Sequence, residues 1–148
     1  MKIDEIRKKS AGATVVTLGE LMLRLSPPGN ERFLQSPLFE ARFGGGEANV
    51  AVSLALSGIP ARFVTALPDS EIGRAAVREL RGFGVDTGCV AMIKDSRIGI
   101  YYAEKGASQR ASAVIYDRES SAVNSLASRD VDWEHAFRGC GWFHITGI

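Results

Sequence analysis

The sequence predicts an α/β fold built on a parallel sheet, and two observations indicate it. Short runs rich in β-branched and apolar residues, such as 14–18 and 61–67, alternate with helix-like segments. A strand that is apolar along its whole length is typical of a parallel sheet, because both of its faces are covered. With 45% hydrophobic and 24% charged residues, the 148-residue chain has the composition of a globular domain with one core.

The first buried strand is followed by segments that alternate rather than being apolar throughout. Residues 20–25 place Leu at every second position, as an extended segment does. Residues 26–30 carry the Ser, Pro, Gly and Asn of a loop. Residues 38–43 alternate again and are expected to form a short strand that ends at a run of three glycines.

Two helices are expected on either side of the strand at 61–67. Residues 47–57 are apolar on most sides, and Gly58 follows them where a helix end favours the left-handed conformation. Asp69 or Ser70 can cap the second helix. Its apolar positions share one face: Ile72, Ala76, Leu80 and Phe83.

The pattern changes at residue 89. Three strand-like runs, at 89–93, 98–104 and 112–117, follow one another with no helix between them. We therefore expect a small sheet appended to the α/β core. A short helix at 131–137, capped by Asp130, and a final strand complete the expected elements.

Composition excludes several functional classes. The net charge is +1 and the basic residues are scattered, so neither nucleic acid nor an anionic membrane is an expected partner. No run approaches the roughly 20 apolar residues of a membrane span. Cys89 and Cys140 are not in a CxxC pair, and His135 and His144 lack neighbours with metal-ligand spacing. Reduced thiols and the absence of a signal peptide favour a cytoplasmic protein.

The glycines at 44–46 lead into a helix that carries Asn49 in its first turn. Glycines let the backbone approach a small polar ligand closely, and a helix start offers unpaired N–H groups. Asn49 adds a donor and an acceptor. The combination suits a polyhydroxylated ligand, although a tight turn without a ligand explains the glycines equally well.

The run GGGEANVA at 44–51 resembles the first signature of the ribokinase-like (PfkB) sugar kinases. The segments TLGE at 17–20 and FVTALPDSEIG at 63–73 are similar to that family in kind and position. The resemblance implies an incomplete ribokinase-like three-layer core with a parallel sheet. It also implies a small β-sheet lid over the substrate, largely within residues 89–118.

The resemblance divides the chain into two parts and implies a third that is missing. Residues 1–13 are a polar N-terminal tail, and residues 14–148 are the N-terminal, substrate-binding part of a sugar kinase. The C-terminal ATP-binding part is expected to be absent, with the family's Gly-Ala-Gly-Asp stretch that supplies the base. No residue of this chain is therefore expected to be catalytic, and the chain alone is expected to be inactive.

Within the family, the sequence is most similar to 2-keto-3-deoxygluconate kinases. Glu47 follows the glycines, where ribokinases tend to have Gly and fructokinases Pro. Tyr101, and Tyr116 with Arg118, lie in runs that resemble lid strands contacting the sugar acid. An arginine can pair with a carboxylate through two hydrogen bonds. Strand propensity explains the tyrosines equally simply, and Arg118 can also be a solvated edge charge.

One position departs from many ribokinases. Five residues after Gly19, those enzymes carry an Asp that holds sugar hydroxyls, whereas this chain has Arg24. Arginine would not repel an acidic substrate, but it can equally point to solvent. The expected substrate-binding residues are Gly45, Gly46, Asn49, Tyr101, Tyr116, Arg118 and Arg24.

The resemblance implies that the complete protein phosphorylates 2-keto-3-deoxygluconate, using ATP and Mg²⁺. This chain would bind the sugar acid at most, and neither a metal nor a nucleotide. A kinase for a neutral sugar such as fructose or ribose is one alternative. A non-catalytic sugar-binding or interaction module is another. Pairing of lids between subunits makes a homo-oligomer the expected assembly.

Overall fold

The computed structural model describes residues 12–146, which fold into eight strands, three α-helices and two short 3₁₀ helices. Most of the expected polar tail at 1–13 lies outside the described residues. The elements are β1 Thr14–Leu18, β2 Met22–Ser26, β3 Glu40–Gly44, α1 Gly46–Leu56, β4 Ala61–Pro68, α2 Glu71–Gly82, β5 Val90–Ile93, β6 Gly99–Glu104, β7 Ala113–Asp117, the 3₁₀ helices Ala122–Ser125 and Ser128–Asp130, α3 Trp133–Phe137, and β8 Cys140–His144.

The core is a parallel sheet with strand order β5-β4-β1-β8, as the apolar runs predict. On one face, Phe63 and Leu67 pack against Ala48 of α1 and Leu80 of α2. On the other face, residues of β1 and β4 pack against a cluster that includes Ala136 of α3. Helices therefore cover both faces of the sheet, and the α/β fold class is confirmed.

The second sheet has strand order β3-β2-β6-β7, in which only the β2–β6 pair is parallel. The sequence-based assignment of residues 89–93 to this sheet is wrong, because β5 pairs in parallel with β4, Thr65 opposite Val90. The unit β4–α2–β5 is a βαβ crossover that returns the chain to the edge of the parallel sheet. The second sheet instead recruits β2 and β3, which precede the glycines in the chain.

A side-chain cap marks the start of α2, and a glycine with positive φ marks the end of α1. Ser70 caps α2, since its hydroxyl accepts a hydrogen bond from the Gly73 N–H at 3.3 Å. Of the expected apolar face of α2, Ala76 and Leu80 are buried, whereas Ile72 and Phe83 are 47% and 40% exposed. Gly58 has a φ of 77° after α1, as its position predicts.

The expected cap of the third helix lies two residues too early in the chain. Asp132 rather than Asp130 caps α3, through a 3.0 Å hydrogen bond from the His135 N–H. The Asp130 carboxylate instead accepts a hydrogen bond from the Ala127 N–H at 2.8 Å, within the preceding 3₁₀ turn. Among residues 12–146, no helix combines the length and apolar character needed to cross a membrane.

Candidate functional site

The two sheets meet at the carboxyl ends of the parallel strands, which is where ligands bind in open α/β sheets. The chain passes between the sheets at this end after β1, after β3, after β5 and after β7. The first of these connections is 19–21 and the last begins at 118. A site placed here is bounded by loops from both sheets.

One face of the second sheet carries a row of four side chains, one from each strand. Arg24 of β2 lies opposite Arg42 of β3 and Tyr101 of β6, and Tyr101 lies opposite Tyr116 of β7. Residues in register across neighbouring strands share a face. The Tyr101 and Tyr116 rings are tilted by 32° with their centroids 6.0 Å apart. Three of the expected substrate-binding residues therefore lie side by side.

Alternation along the strands adds a second row on the same face, nearer to the parallel sheet. Gly44, Met22 and Gly99 are each two residues from a member of the first row, and Arg118 is two residues beyond Tyr116. The two glycines leave space on this face. A Cβ at Gly44 would lie 2.8 Å from the Tyr101 hydroxyl, so the tyrosine reaches back over the glycine turn.

Glu20 occupies the remaining space, and only 4% of its surface is exposed. The Ser121 hydroxyl donates a 2.6 Å hydrogen bond to its Oε1. The Arg118 Nη2 lies 2.7 Å from its Oε2. No donor among the described residues is aligned for a hydrogen bond with Oε2, so the arginine contact is an ion pair. The guanidinium therefore balances the charge of Glu20.

Glu47 is a second buried carboxylate at the same end of the parallel sheet. It fills the space over Gly19, where a Cβ would lie 2.0 Å from Oε2. Its Oε1 accepts hydrogen bonds from the backbone N–H and the hydroxyl of Thr146. Burial acts to raise the pKa of this carboxyl, but the hydrogen bonds and the nearby His144 outweigh burial and hold the pKa below its usual value. Glu47 thus makes its contacts within the protein.

The residues of the glycine turn differ in their surroundings. A Cβ at Gly45 would lie 2.0 Å from the backbone oxygen of Glu20, whereas Gly46 has open space where a Cβ would be. Asn49 is exposed and lines a shallow groove with Val52 and Phe83, towards α2. Convergence of the whole expected set on one cleft stays a prediction.

Sequence reasoning did not single out Glu20 or Ser121. Glu20 directly follows Gly19 at the end of a buried strand, and an acidic residue at that place is the signal that could have identified it. Nothing local in the sequence marks Ser121. Within the described part of the chain, no group of three or more His, Cys, Asp or Glu side chains is arranged to hold a metal ion.

The comparisons with known proteins agree with this architecture. The sequence profile of the pfkB family carbohydrate kinases matches residues 13–137. The 2-dehydro-3-deoxygalactonokinase of Haloferax volcanii is 44% identical over 113 residues, which are 76% of this chain and 35% of that protein. The 2-dehydro-3-deoxygluconokinase of Thermoproteus tenax is 31% identical over 91% of this chain and 42% of its own length.

A solved structure gives the same result at the level of the fold. The 2-dehydro-3-deoxygluconokinase of Thermotoga maritima superimposes with a TM-score of 0.84 and 50% identity, over 89% of this chain and 40% of that chain. The chain therefore spans about two fifths of the length of these relatives. The profile match, the sequence identities and the shared fold establish that this chain belongs to the pfkB family of carbohydrate kinases.

Proposed function

We propose that the complete protein phosphorylates a hydroxyl of a 2-keto-3-deoxy sugar acid, with 2-keto-3-deoxygluconate as the substrate. Family membership supports the kinase activity, and the three relatives described above are named for phosphorylating 2-dehydro-3-deoxy sugar acids. The observation that carries the proposal is the face of the second sheet that presents Arg24, Tyr101, Tyr116 and Arg118.

These side chains suit an anionic sugar. A carboxylate pairs with guanidinium groups through charge-assisted hydrogen bonds, and phenol hydroxyls can donate to keto and hydroxyl oxygens. Arg24 makes no ion pair within the described residues, and its Nε donates to the Ser26 hydroxyl at 2.9 Å. The Arg118 side chain is 39% exposed, so it is accessible to a ligand. The backbone at Gly45 and Gly46, with Asn49 in this proposal, would contact the sugar hydroxyls.

The proposal assigns a lid role to the second sheet. It would cover the sugar at the carboxyl ends of the parallel strands and exclude water from the reacting groups. ATP would supply the phosphoryl group, with Mg²⁺ neutralising its charge. We expect the nucleotide site and the base to lie outside residues 1–148. The complete protein is then a cytoplasmic homo-oligomer whose lids pair through exposed strand edges such as β7.

A panel of sugars with the complete protein tests the proposal. We expect 2-keto-3-deoxygluconate to be phosphorylated with a kcat/KM at least tenfold higher than that of fructose or ribose, because a charge-assisted bond is worth about 1.5 kcal/mol or more. Faster turnover of fructose or ribose would overturn the substrate assignment and leave the kinase assignment intact. Absence of any ATP-dependent phosphorylation of sugars would overturn both.

A further inference from the structure

One carboxylate lies at the junction of the connections between the two sheets. Glu20 belongs to the connection from β1 to β2, and its backbone oxygen is against Gly45, which links β3 to α1. Its Oε1 lies over Gly99, where β6 begins; a Cβ there would be 2.4 Å away. The same oxygen accepts the hydrogen bond from Ser121, which lies on the segment leaving β7. Glu20 therefore lies against a residue in, or at the end of, each of the other three connections.

The Arg118 guanidinium is held by charge from Glu20. Its Nη2 lies 2.7 Å from Oε2 of a carboxylate that is 4% exposed, and attraction between charges is strong where water is excluded. The pair fixes where Nη2 lies, and a contact through one nitrogen engages only part of a guanidinium that carries five N–H groups. The remaining N–H groups stay available for a ligand on the same face.

We propose that Glu20 is a positioning residue, which holds Arg118 at the root of the second sheet so that its N–H groups meet the carboxylate of the sugar acid. This role rests on the proposed function. The Glu20 side chain makes two interactions, one through each carboxylate oxygen. The Ser121 bond ties the segment that leaves the second sheet to the segment that enters it. The ion pair orients the arginine.

Other contacts keep this region folded when the ion pair is removed. Arg97 binds the Asp117 carboxylate at 2.7 Å and also donates to the backbone oxygens of Asp117 and Glu119. The Ala122 N–H donates to the Arg97 oxygen at 2.8 Å. The Glu20→Gln variant also keeps an oxygen that can accept the Ser121 hydrogen bond. With that oxygen kept for Ser121, the amide nitrogen replaces Oε2 beside the Arg118 Nη2, and two donors then face each other. The substitution therefore removes the charge and releases the guanidinium, while the Ser121 hydrogen bond is kept.

A double-mutant cycle in the complete protein tests the role of Glu20. We expect Glu20→Gln to raise the KM for the sugar acid about tenfold, the loss that accompanies one misaligned charge-assisted hydrogen bond. The KM for ATP and the kcat should stay within about twofold. In the Arg118→Ala background, Glu20→Gln should change the KM for the sugar acid less than about twofold, because the group that it positions is gone.

Thermal unfolding of the same variants gives a second readout. Arg118→Ala leaves a buried carboxylate without its cation and should lower Tm, and adding Glu20→Gln should restore part of Tm without restoring KM. Glu134→Gln, the same change on an exposed side chain of α3, is the matched control and should change neither quantity.

Three results would overturn the role of Glu20. These are an unchanged KM in Glu20→Gln, a lowered KM that marks Glu20 as a competitor of the substrate carboxylate, and an equal rise in KM with or without Arg118. A failure of the proposed function appears in the wild-type protein alone, as turnover of neutral sugars only. A failure of the role of Glu20 appears only in the variants.

Discussion

Two buried glutamates at the carboxyl ends of the parallel strands do different work. Glu20 and Glu47 each follow a glycine and are 4% and 3% exposed. Glu20 faces a cation from the second sheet. Among the described residues, Glu47 accepts its side-chain hydrogen bonds from Thr146 after β8 and has His144 nearby, but it makes no ion pair with an arginine or lysine. The comparison teaches that burial alone does not mark a ligand site. In the proposed role, the carboxylate that pairs with Arg118 would serve ligand binding, whereas Glu47, whose hydrogen bonds come from Thr146, contributes to the fold.

The largest loss of stability is expected from a substitution at Gly45, where the glycine turn packs against the backbone of Glu20. Gly45→Ala would place a Cβ 2.0 Å from the Glu20 backbone oxygen, and neither backbone can rotate away as a side chain can. We expect a loss of about 3 kcal/mol in the free energy of unfolding, at the upper end for overpacking. Denaturant unfolding measures it.

Gly46→Ala is the matched control for that substitution. Gly46 has nothing within 4 Å of the position of a Cβ and begins α1, where alanine favours the helix. The free energy of unfolding should therefore stay the same or rise slightly. Equal losses in the two variants would mean that the contact between Gly45 and Glu20 is not what restricts this turn.

Glu47 should control stability at acid pH. Its pKa is lower in the folded protein than its ordinary value, so the folded state binds fewer protons and stability rises with pH. The contribution is complete above the unfolded pKa of about 4.3 and is lost as pH falls through the lower, folded pKa. Glu47→Gln should cost about 1 kcal/mol at pH 7, a difference that shrinks towards pH 3. Unfolding curves from pH 7 to pH 3 measure it.

A Glu-to-Gln substitution at an exposed position is the control for Glu47→Gln, because it removes a carboxylate that is not buried. Glu134→Gln should show no difference from the wild-type protein at any pH in that range. The KM for the sugar acid at pH 7 should stay within about twofold in Glu47→Gln, since the Glu47 contacts lie within the parallel sheet. A Glu47→Gln variant whose stability deficit grows towards pH 3 would contradict the sign of the pKa shift.

Alanine substitutions of the two arginines that lie opposite each other in the second sheet are expected to have smaller effects, on the KM for the sugar acid. Arg24 is partly buried beside Tyr101, whereas Arg42 is exposed and donates to the Ala41 oxygen at 3.0 Å. Arg24→Ala should raise the KM for the sugar acid about fivefold, somewhat less than a full charge-assisted hydrogen bond. Arg42→Ala should change KM less than about twofold. If steady-state kinetics showed a larger rise in KM for Arg42→Ala than for Arg24→Ala, Arg24 would not be a substrate-binding residue.

The parallel sheet was predictable from the sequence because its strands are apolar throughout and follow the βαβ order. The second sheet was harder, since β2 and β6 lie more than 70 residues apart in the chain and their register is set by tertiary packing. The local sequence pattern of β5 is the same as that of a strand in the second sheet. Only the βαβ crossover from β4 shows that β5 belongs to the parallel sheet.

The candidate site was predictable in part. Resemblance to the family singled out Tyr101, Tyr116 and Arg118, but it could not show that Glu20 pairs with Arg118. Asn49 lies two residues from Glu47 on α1 and therefore about 200° around the helix, and its contact with the sugar stays a prediction.

Removal of Arg118 tests the central claim most directly, which is that this face of the second sheet binds the carboxylate of a sugar acid. In the complete protein, Arg118→Ala should raise the KM for 2-keto-3-deoxygluconate by roughly 10- to 150-fold, the equivalent of about 1.5–3 kcal/mol. The KM for ATP should stay within about twofold. An unchanged KM for the sugar acid, or an equal rise in the two KM values, would contradict the account.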